Sequence, residues 1–176
     1  EMILILDFGS QTTQLIARRI REQKVYCEIH PYSIPLDKVE EMKPAGIVLS
    51  GGPCSVYDEG APHSDPAFLE LSIPVLGICY GAQLMILQNG GQVEKAEKRE
   101  FGKAELEILT TDGLFAGLET GETHHQVWMS HGDRVEVVPD GFEASAVSAH
   151  SPYAALRHRE KPLVAVQFHP EVAHTL

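Results

Sequence analysis

The chain has 176 residues, 43% of them hydrophobic and 22% charged, a length that suits one domain, 1–176, with a substantial core. Lys and Arg number 14 against 25 Asp and Glu, a formal charge of -11, so a nucleic-acid backbone would meet a repulsive average field and is not expected as a partner. Three cysteines, Cys27, Cys54 and Cys79, lack metal-type spacing, and neither a signal peptide nor an apolar run of membrane-spanning length is present; a cytoplasmic, non-membrane chain in a reducing compartment is expected.

In chain order, Met2 to Leu6 is a continuous apolar run directly before Asp7-Phe8-Gly9-Ser10-Gln11, and Leu15, Ile16, Arg19 and Ile20 continue in helical rhythm. Val25 to Ile29 predicts a second strand and Pro35 to Met42 a short helix. Gly46 to Leu49 predicts a third strand ending in Ser50-Gly51-Gly52-Pro53, and Val56 to Pro66 a surface loop. This alternation predicts a parallel sheet covered by helices. In such sheets the loops beyond the carboxyl ends of the strands hold the ligand, so Asp7 to Gln11, Ser50 to Ser55 and Cys79 to Gln83 should meet on one rim.

The stretch from Pro74 to Gln83 is an apolar run that ends in Gly77-Ile78-Cys79-Tyr80-Gly81 and passes into a helix-compatible segment, Ala82 to Gln88, stopped by Asn89-Gly90-Gly91. This is the pattern of a nucleophile elbow. A strand that reverses sharply into a helix strains the residue at its apex, and Gly77 and Gly81 are the small neighbours it requires. A helix N-terminus there would favour a Cys79 thiolate. The motif alone leaves open a core cysteine that merely closes a strand.

Beyond Gly91 the apolar runs shorten: Ala104 to Leu109, Gln126 to Ser130, Arg134 to Val138, Glu143 to Ser148 and Leu163 to Phe168 read as a largely antiparallel second half. The charged stretch Arg99 to Glu105 suits a turn into a strand around Gly102. The last run ends in Gln167-Phe168-His169-Pro170-Glu171, where a carboxylate can orient an imidazole that activates a thiol. His124, His125 and His131 invite a zinc reading, but no further ligands stand at supporting spacing and no metal is expected.

Five ordered motifs now resemble one family: Ile5 to Gln11, Leu49 to Pro53, Gly77 to Gln83, Trp128-Met129-Ser130-His131-Gly132-Asp133, and Gln167 to Glu171. The chain is similar along essentially its whole length to the class I, triad-type glutamine amidotransferases, and within them to the glutaminase domains of GMP synthetases. The resemblance implies an α/β, flavodoxin-like fold: a mixed, mainly parallel sheet flanked by helices, with an antiparallel second part. It also implies a glutaminase in which Cys79 attacks the side-chain amide of L-glutamine, His169 serves as acid and base, and Glu171 fixes the imidazole.

By the same resemblance the amides of Gly52 and Tyr80 form the oxyanion hole, while Gly51, Gly52, Gln83, Ser130, His131, Gly132 and Asp133 contact glutamine. The expected partner is an ATP pyrophosphatase unit, domain or subunit, that would use the ammonia to aminate XMP. ATP and Mg2+ are expected on that unit and no cofactor on this domain. In the family a further helix, the pyrophosphatase domain and a dimerisation segment usually follow; none is in these 176 residues. An amidotransferase for another acceptor, and a non-catalytic partner-binding module that kept the fold, are the competing expectations.

Overall fold

A computed structural model describes residues 1–110, 124–149 and 151–172; the side chains of residues 96–100, 124, 131 and 132 lie outside the description. The first apolar run forms β1 (Met2–Asp7), followed by α1 (Thr13–Glu22), β2 (Tyr26–Pro31), α2 (Leu36–Met42) and β3 (Gly46–Leu49). A short 3-10 turn at Pro66–Glu70 precedes β4 (Val75–Ile78), which runs into α3 (Tyr80–Gln88). Five further strands complete the chain: β5 (Gln92–Ile108), β6 (His124–Val137), β7 (Phe142–Ser148), β8 (Ser151–His158) and β9 (Leu163–Val166).

The strands join in one sheet of order β2-β1-β3-β4-β9-β8-β7-β5-β6. From β2 to β9 every neighbouring pair is parallel, and from β9 to β6 every pair is antiparallel. The expected mainly parallel sheet with an antiparallel second part is therefore what forms. Successive strand residues face opposite sides of a pleated sheet. Leu4, Leu6, Ile47, Leu49 and Val75 accordingly pack on one face with Val39 of α2 and Leu84, Met85 and Ile86 of α3. Ile5, Val48, Ile78 and Val166 pack on the other with Ile16 and Ala17 of α1. Each Val, Leu, Ile or Met among them, where fully buried, contributes roughly 1.5–3 kcal/mol of transfer free energy.

Three expectations need correction. Leu163 to Phe168 is expected in the antiparallel half, yet β9 is parallel to β4 on one side and antiparallel to β8 on the other. Its run of apolar residues suits this: a strand flanked on both sides and covered on both faces need not alternate. The separate strands expected at Gln126 to Ser130 and Arg134 to Val138 are one 14-residue strand, β6, without an intervening turn. Its partner β5 runs for 17 residues through the segment expected to turn, with a register shift between Lys95 and Glu100 where the ladder is irregular.

The Val56 to Pro66 loop is tethered to the core. The Tyr80 hydroxyl donates to Pro62 O at 2.6 Å, Gln88 Nε2 to Ser64 O at 2.9 Å, and Val93 N to the Tyr57 hydroxyl at 3.1 Å. No helix among the described residues is long and apolar enough to cross a membrane.

Candidate active site

β4 ends at Ile78 and α3 begins at Tyr80, so the whole reversal falls on Cys79, at φ 52° and ψ -106°. For a side chain other than glycine that conformation stores roughly 1–3 kcal/mol of strain, and the surroundings must impose it. They do so by hydrogen bonds and close approach. Cys79 N donates to Val166 O at 2.8 Å, Gln83 N to Cys79 O at 3.0 Å, and Gly81 N to Ser50 O at 3.1 Å. A Cβ on Gly77 would lie 2.7 Å from Gly81 O, and one on Gly81 only 2.4 Å from Leu49 O. Both glycines let backbone segments touch, which is the steric requirement of the elbow.

His169 reaches the same rim because β9 lies beside β4 in parallel, with Val166 opposite Ile78. Its backbone N donates to Trp128 O at 2.9 Å, and an isolated bridge joins Phe168 to Met129, so β6 fixes the end of β9. His169 Nδ1 and Glu171 Oε1 are 2.8 Å apart and both residues are buried. An ionised carboxylate only accepts, so Nδ1 carries a proton toward it and Nε2 is the nitrogen that exchanges a proton with the thiol. Burial pulls the imidazolium down, but the hydrogen bonds to Cys79 and then to Glu171, with their charges, outweigh it and push His169 up to about 10. The Cys79 thiol also lies 3.3 Å from Ser130 O.

The β3 loop closes over this pair. A Cβ on Gly51 would stand 3.1 Å from His169 Cε1 and 3.7 Å from Cys79 Cβ. Gly52 is also constrained within the chain: its Cβ would meet Phe8 O at 2.6 Å, in the neighbouring β1 loop. Among the described residues neither the Gly52 nor the Tyr80 amide donates a hydrogen bond, so both are available at the rim where an oxyanion hole is expected. The Tyr80 side chain points away into the core, where burial pushes its phenol up, and it packs against Phe8 with ring centroids 5.5 Å apart.

Gln83 is buried one helical turn below Cys79, and its Nε2 donates to Asp133 O at 3.1 Å and to Gln167 Oε1 at 3.3 Å. It braces α3 against β6 and β9 through its amide nitrogen. Ser130 presents its carbonyl to the thiol and pairs in the ladder with Phe101. Asp133 is buried in β6. His131 and Gly132 follow Ser130 in the backbone of β6, but as glutamine contacts they lie outside the described residues, as does His124 of the zinc alternative. Among the described residues no three His, Cys, Asp or Glu side chains are grouped to hold a metal ion.

Three site residues have contacts that the sequence does not announce. Ser50 Oγ accepts from Phe8 N at 2.9 Å while Ser50 O receives Gly81 N, so one residue ties the three rim loops together. Thr12 Oγ1 donates to Glu171 Oε1 at 2.7 Å, and Arg19 Nε donates to Glu171 O at 3.1 Å. Thr12 stands 159 residues from Glu171, and no local pattern announces such a contact.

The class-I glutamine amidotransferase family model matches residues 4–176. The chain is similar to a GMP synthase [glutamine-hydrolyzing] of Desulfotalea psychrophila, 73% identical over 176 residues, 100% of this chain and 34% of that protein. It is 57% identical over 175 residues to the enzyme of that name from Heliobacterium modesticaldum, covering 99% and 34% of the two chains. It therefore spans about a third of the length of these curated relatives. The solved structure of a Thermoplasma acidophilum protein, named for a GMP synthase subunit, superposes with a TM-score of 0.88 at 34% identity over 99% of this chain and 86% of that one. A glutamine amidotransferase of Thermotoga maritima shares the fold, with a TM-score of 0.76 at 21% identity over 97% and 76%. Since the family model spans all but the first three residues, and the elbow, imidazole and carboxylate meet at one rim as the resemblance requires, this chain belongs to the class I glutamine amidotransferases.

Proposed function

We propose that this chain hydrolyses L-glutamine through a thioester on Cys79 and delivers the ammonia to an ATP pyrophosphatase unit that aminates XMP to GMP. The observation that carries the chemistry is the 2.8 Å bond from His169 to a buried Glu171, with the imidazole and Cys79 on its strained elbow both facing the Gly51 loop. His169 takes the thiol proton, the sulfur adds to the amide carbon, and a tetrahedral oxyanion forms at the amides of Gly52 and Tyr80. Each such donor lowers the barrier by roughly 3 kcal/mol in comparable sites. The C–N bond then breaks as His169 returns its proton to the leaving ammonia. Water, deprotonated by His169, adds to the thioester, and glutamate leaves with the sulfur restored.

Gly51, Ser130, His131, Gly132 and Asp133 are assigned to the glutamine pocket. Gln83 is assigned to it as well, its Nε2 also holding Asp133 and Gln167. The identity to GMP synthases supports XMP amination over another acceptor; ATP and Mg2+ belong with the synthetase unit.

The test is mass spectrometry after incubation with 6-diazo-5-oxo-L-norleucine, with peptide mapping and free glutamine as competitor. A glutamine-protected adduct on Cys79 is expected. An adduct on Cys54 that glutamine does not suppress would remove the assignment. GMP formation from XMP, ATP and glutamine when the chain is combined with a synthetase unit tests the acceptor.

A further inference from the structure

The β1 loop motif Asp7 to Gln11 and the threonine after it have no part in the chemistry above, yet that threonine lies against its carboxylate. Thr12 is the N-cap of α1, the position whose side chain ordinarily accepts from the first turn of a helix, and here it makes no capping bond. Its hydroxyl is turned outward and donates to Glu171 Oε1 at 2.7 Å, the same oxygen that takes the His169 Nδ1 proton at 2.8 Å. Glu171 Oε2 is buried and takes no hydrogen bond among the described residues. All the directional hold on this carboxylate is therefore on one oxygen, and half of it comes from Thr12.

The donor sense of the chain follows from the inventory of protons. Thr12 N–H donates to Ser10 Oγ at 3.0 Å, and Ser10 Oγ lies 2.8 Å from Thr12 Oγ1. The one Thr12 hydroxyl proton is committed to the carboxylate, which cannot donate, so the Ser10 hydroxyl donates to Thr12. The order is Thr12 N–H to Ser10 Oγ–H to Thr12 Oγ1–H to Glu171 Oε1, met from the other side by His169 Nδ1–H. Each bond polarises the next. Arg19 Nε, on the same helix, holds the Glu171 backbone through its carbonyl at 3.1 Å. The first helix and its cap thus grip both the main chain and the side chain of the residue that orients the imidazole.

We propose that Thr12, set by Ser10, is a positioning residue for glutamine hydrolysis: its hydroxyl fixes the rotamer of Glu171 and so aims His169 at Cys79. This rests on the assignment of Cys79, His169 and Glu171 made above. Thr12 touches neither the sulfur nor the imidazole, so its loss should change the rate of the chemical steps and leave substrate affinity alone. Removing a hydrogen bond to a charged group through an intermediary residue should cost about tenfold in rate. Because Thr12 provides no side-chain cap, valine, its near isostere, should leave α1 intact.

The experiment compares wild type, Thr12→Val, Thr12→Ser and Cys79→Ala. It measures kcat and KM for glutamine hydrolysis, the saturating rate of Cys79 labelling by 6-diazo-5-oxo-L-norleucine, and the melting temperature. Thr12→Val should lose about tenfold in kcat and labelling rate with KM within about twofold and melting unchanged, while Thr12→Ser, which keeps the hydroxyl, should recover most of the rate. A Thr12→Val protein with the wild-type rates, or a Thr12→Ser protein as slow as the valine variant, would overturn the proposal while labelling of wild type, absent in Cys79→Ala, left the nucleophile standing. A wild type that is not labelled on Cys79 would overturn the nucleophile and, with it, the role of Thr12. A loss confined to KM would place Thr12 in substrate binding and refute positioning.

Discussion

The elbow's dependence on close backbone approach is open to a single-atom test at Gly81. A Cβ there would stand 2.4 Å from Leu49 O, 2.6 Å from Leu49 Cβ and 2.8 Å from Leu49 C. Reaching ordinary contact at 3.4 Å requires a displacement of 3.4 − 2.4 = 1.0 Å along that line. None of the opposing atoms is the far end of a flexible side chain. Leu49 lies in β3 between β1 and β4, so the strand is held on both sides and α3 is the element that must move. Its movement stretches the 3.1 Å bond from Gly81 N to Ser50 O and carries Cys79 away from the Gly51 loop.

Overpacking of this kind costs about 1–3 kcal/mol, which at this chain length lowers the melting temperature by about 2–12 °C. A misplacement near 1 Å in a catalytic group is worth about a hundredfold in rate. Gly81→Ala should show both losses, by thermal melting and by the rate of Cys79 labelling. Gly46→Ala is the control, since its Cβ would press only on the movable Ile3 Cδ1, at 3.1 Å. If Gly81→Ala melted and labelled like wild type, the steric account of the elbow would be wrong, whatever Cys79 does.

Further outcomes follow from the same geometry. Cys79→Ala and Cys79→Gly should both be inactive, but the glycine variant should be the more stable in urea by about 1 kcal/mol, because φ 52° is costly for alanine and not for glycine; equal midpoints would deny the strain. Gly51→Ala should reduce labelling with little change in melting, since its Cβ would press on His169 Cε1 at 3.1 Å and on no main chain at comparable distance; normal labelling would show that the imidazole can yield. His169 is raised from 6.5 in the unfolded chain to about 10 in the folded one, so the stability its imidazolium contributes is complete below pH 6.5 and is lost as pH rises through about 10. The stability gap between wild type and His169→Asn should narrow across that window, and a gap that is constant or widens with pH would contradict it.

The parts of this site that are legible in the sequence are those whose constraint is local. Gly77 and Gly81 flank Cys79 because a reversal within three residues leaves room only for hydrogen, and that requirement is the same in any sheet. The parallel half is legible for a similar reason: strands buried on both faces keep their apolar residues in unbroken runs. The antiparallel half misleads where pairing, and not composition, makes the strand. Lys95 to Glu100 carries no apolar rhythm, yet it sits within β5, and the ladder to β6 pairs its two ends across a register shift. The β6 segment Ser130 to Asp133 contains a glycine and reads as a turn, but β5 carries it straight through. Thr12 is hidden for a stronger reason, since its partner lies at the other end of the chain and an N-cap threonine has a sufficient local explanation that happens not to apply.

That last case bears on why the proposed catalytic groups sit where the sheet changes direction. The proposed nucleophile and base, Cys79 and His169, follow β4 and β9, which are adjacent and parallel, so both leave the sheet at one rim without a connecting loop to hold them together. An all-parallel neighbour on the far side of β9 would need a crossover helix covering that edge. The antiparallel β8 needs only a turn, and it leaves β6 free to fold back so that Trp128 holds the His169 amide and Ser130 faces the thiol. On the opposite flank the cap of the first helix reaches Glu171. Backbone of β4, β9, β8 and β6 thus sets where Cys79 and His169 stand, and Thr12→Val, which leaves that backbone in place and removes only the hydroxyl on Glu171, isolates the contribution of orientation from that of the fold.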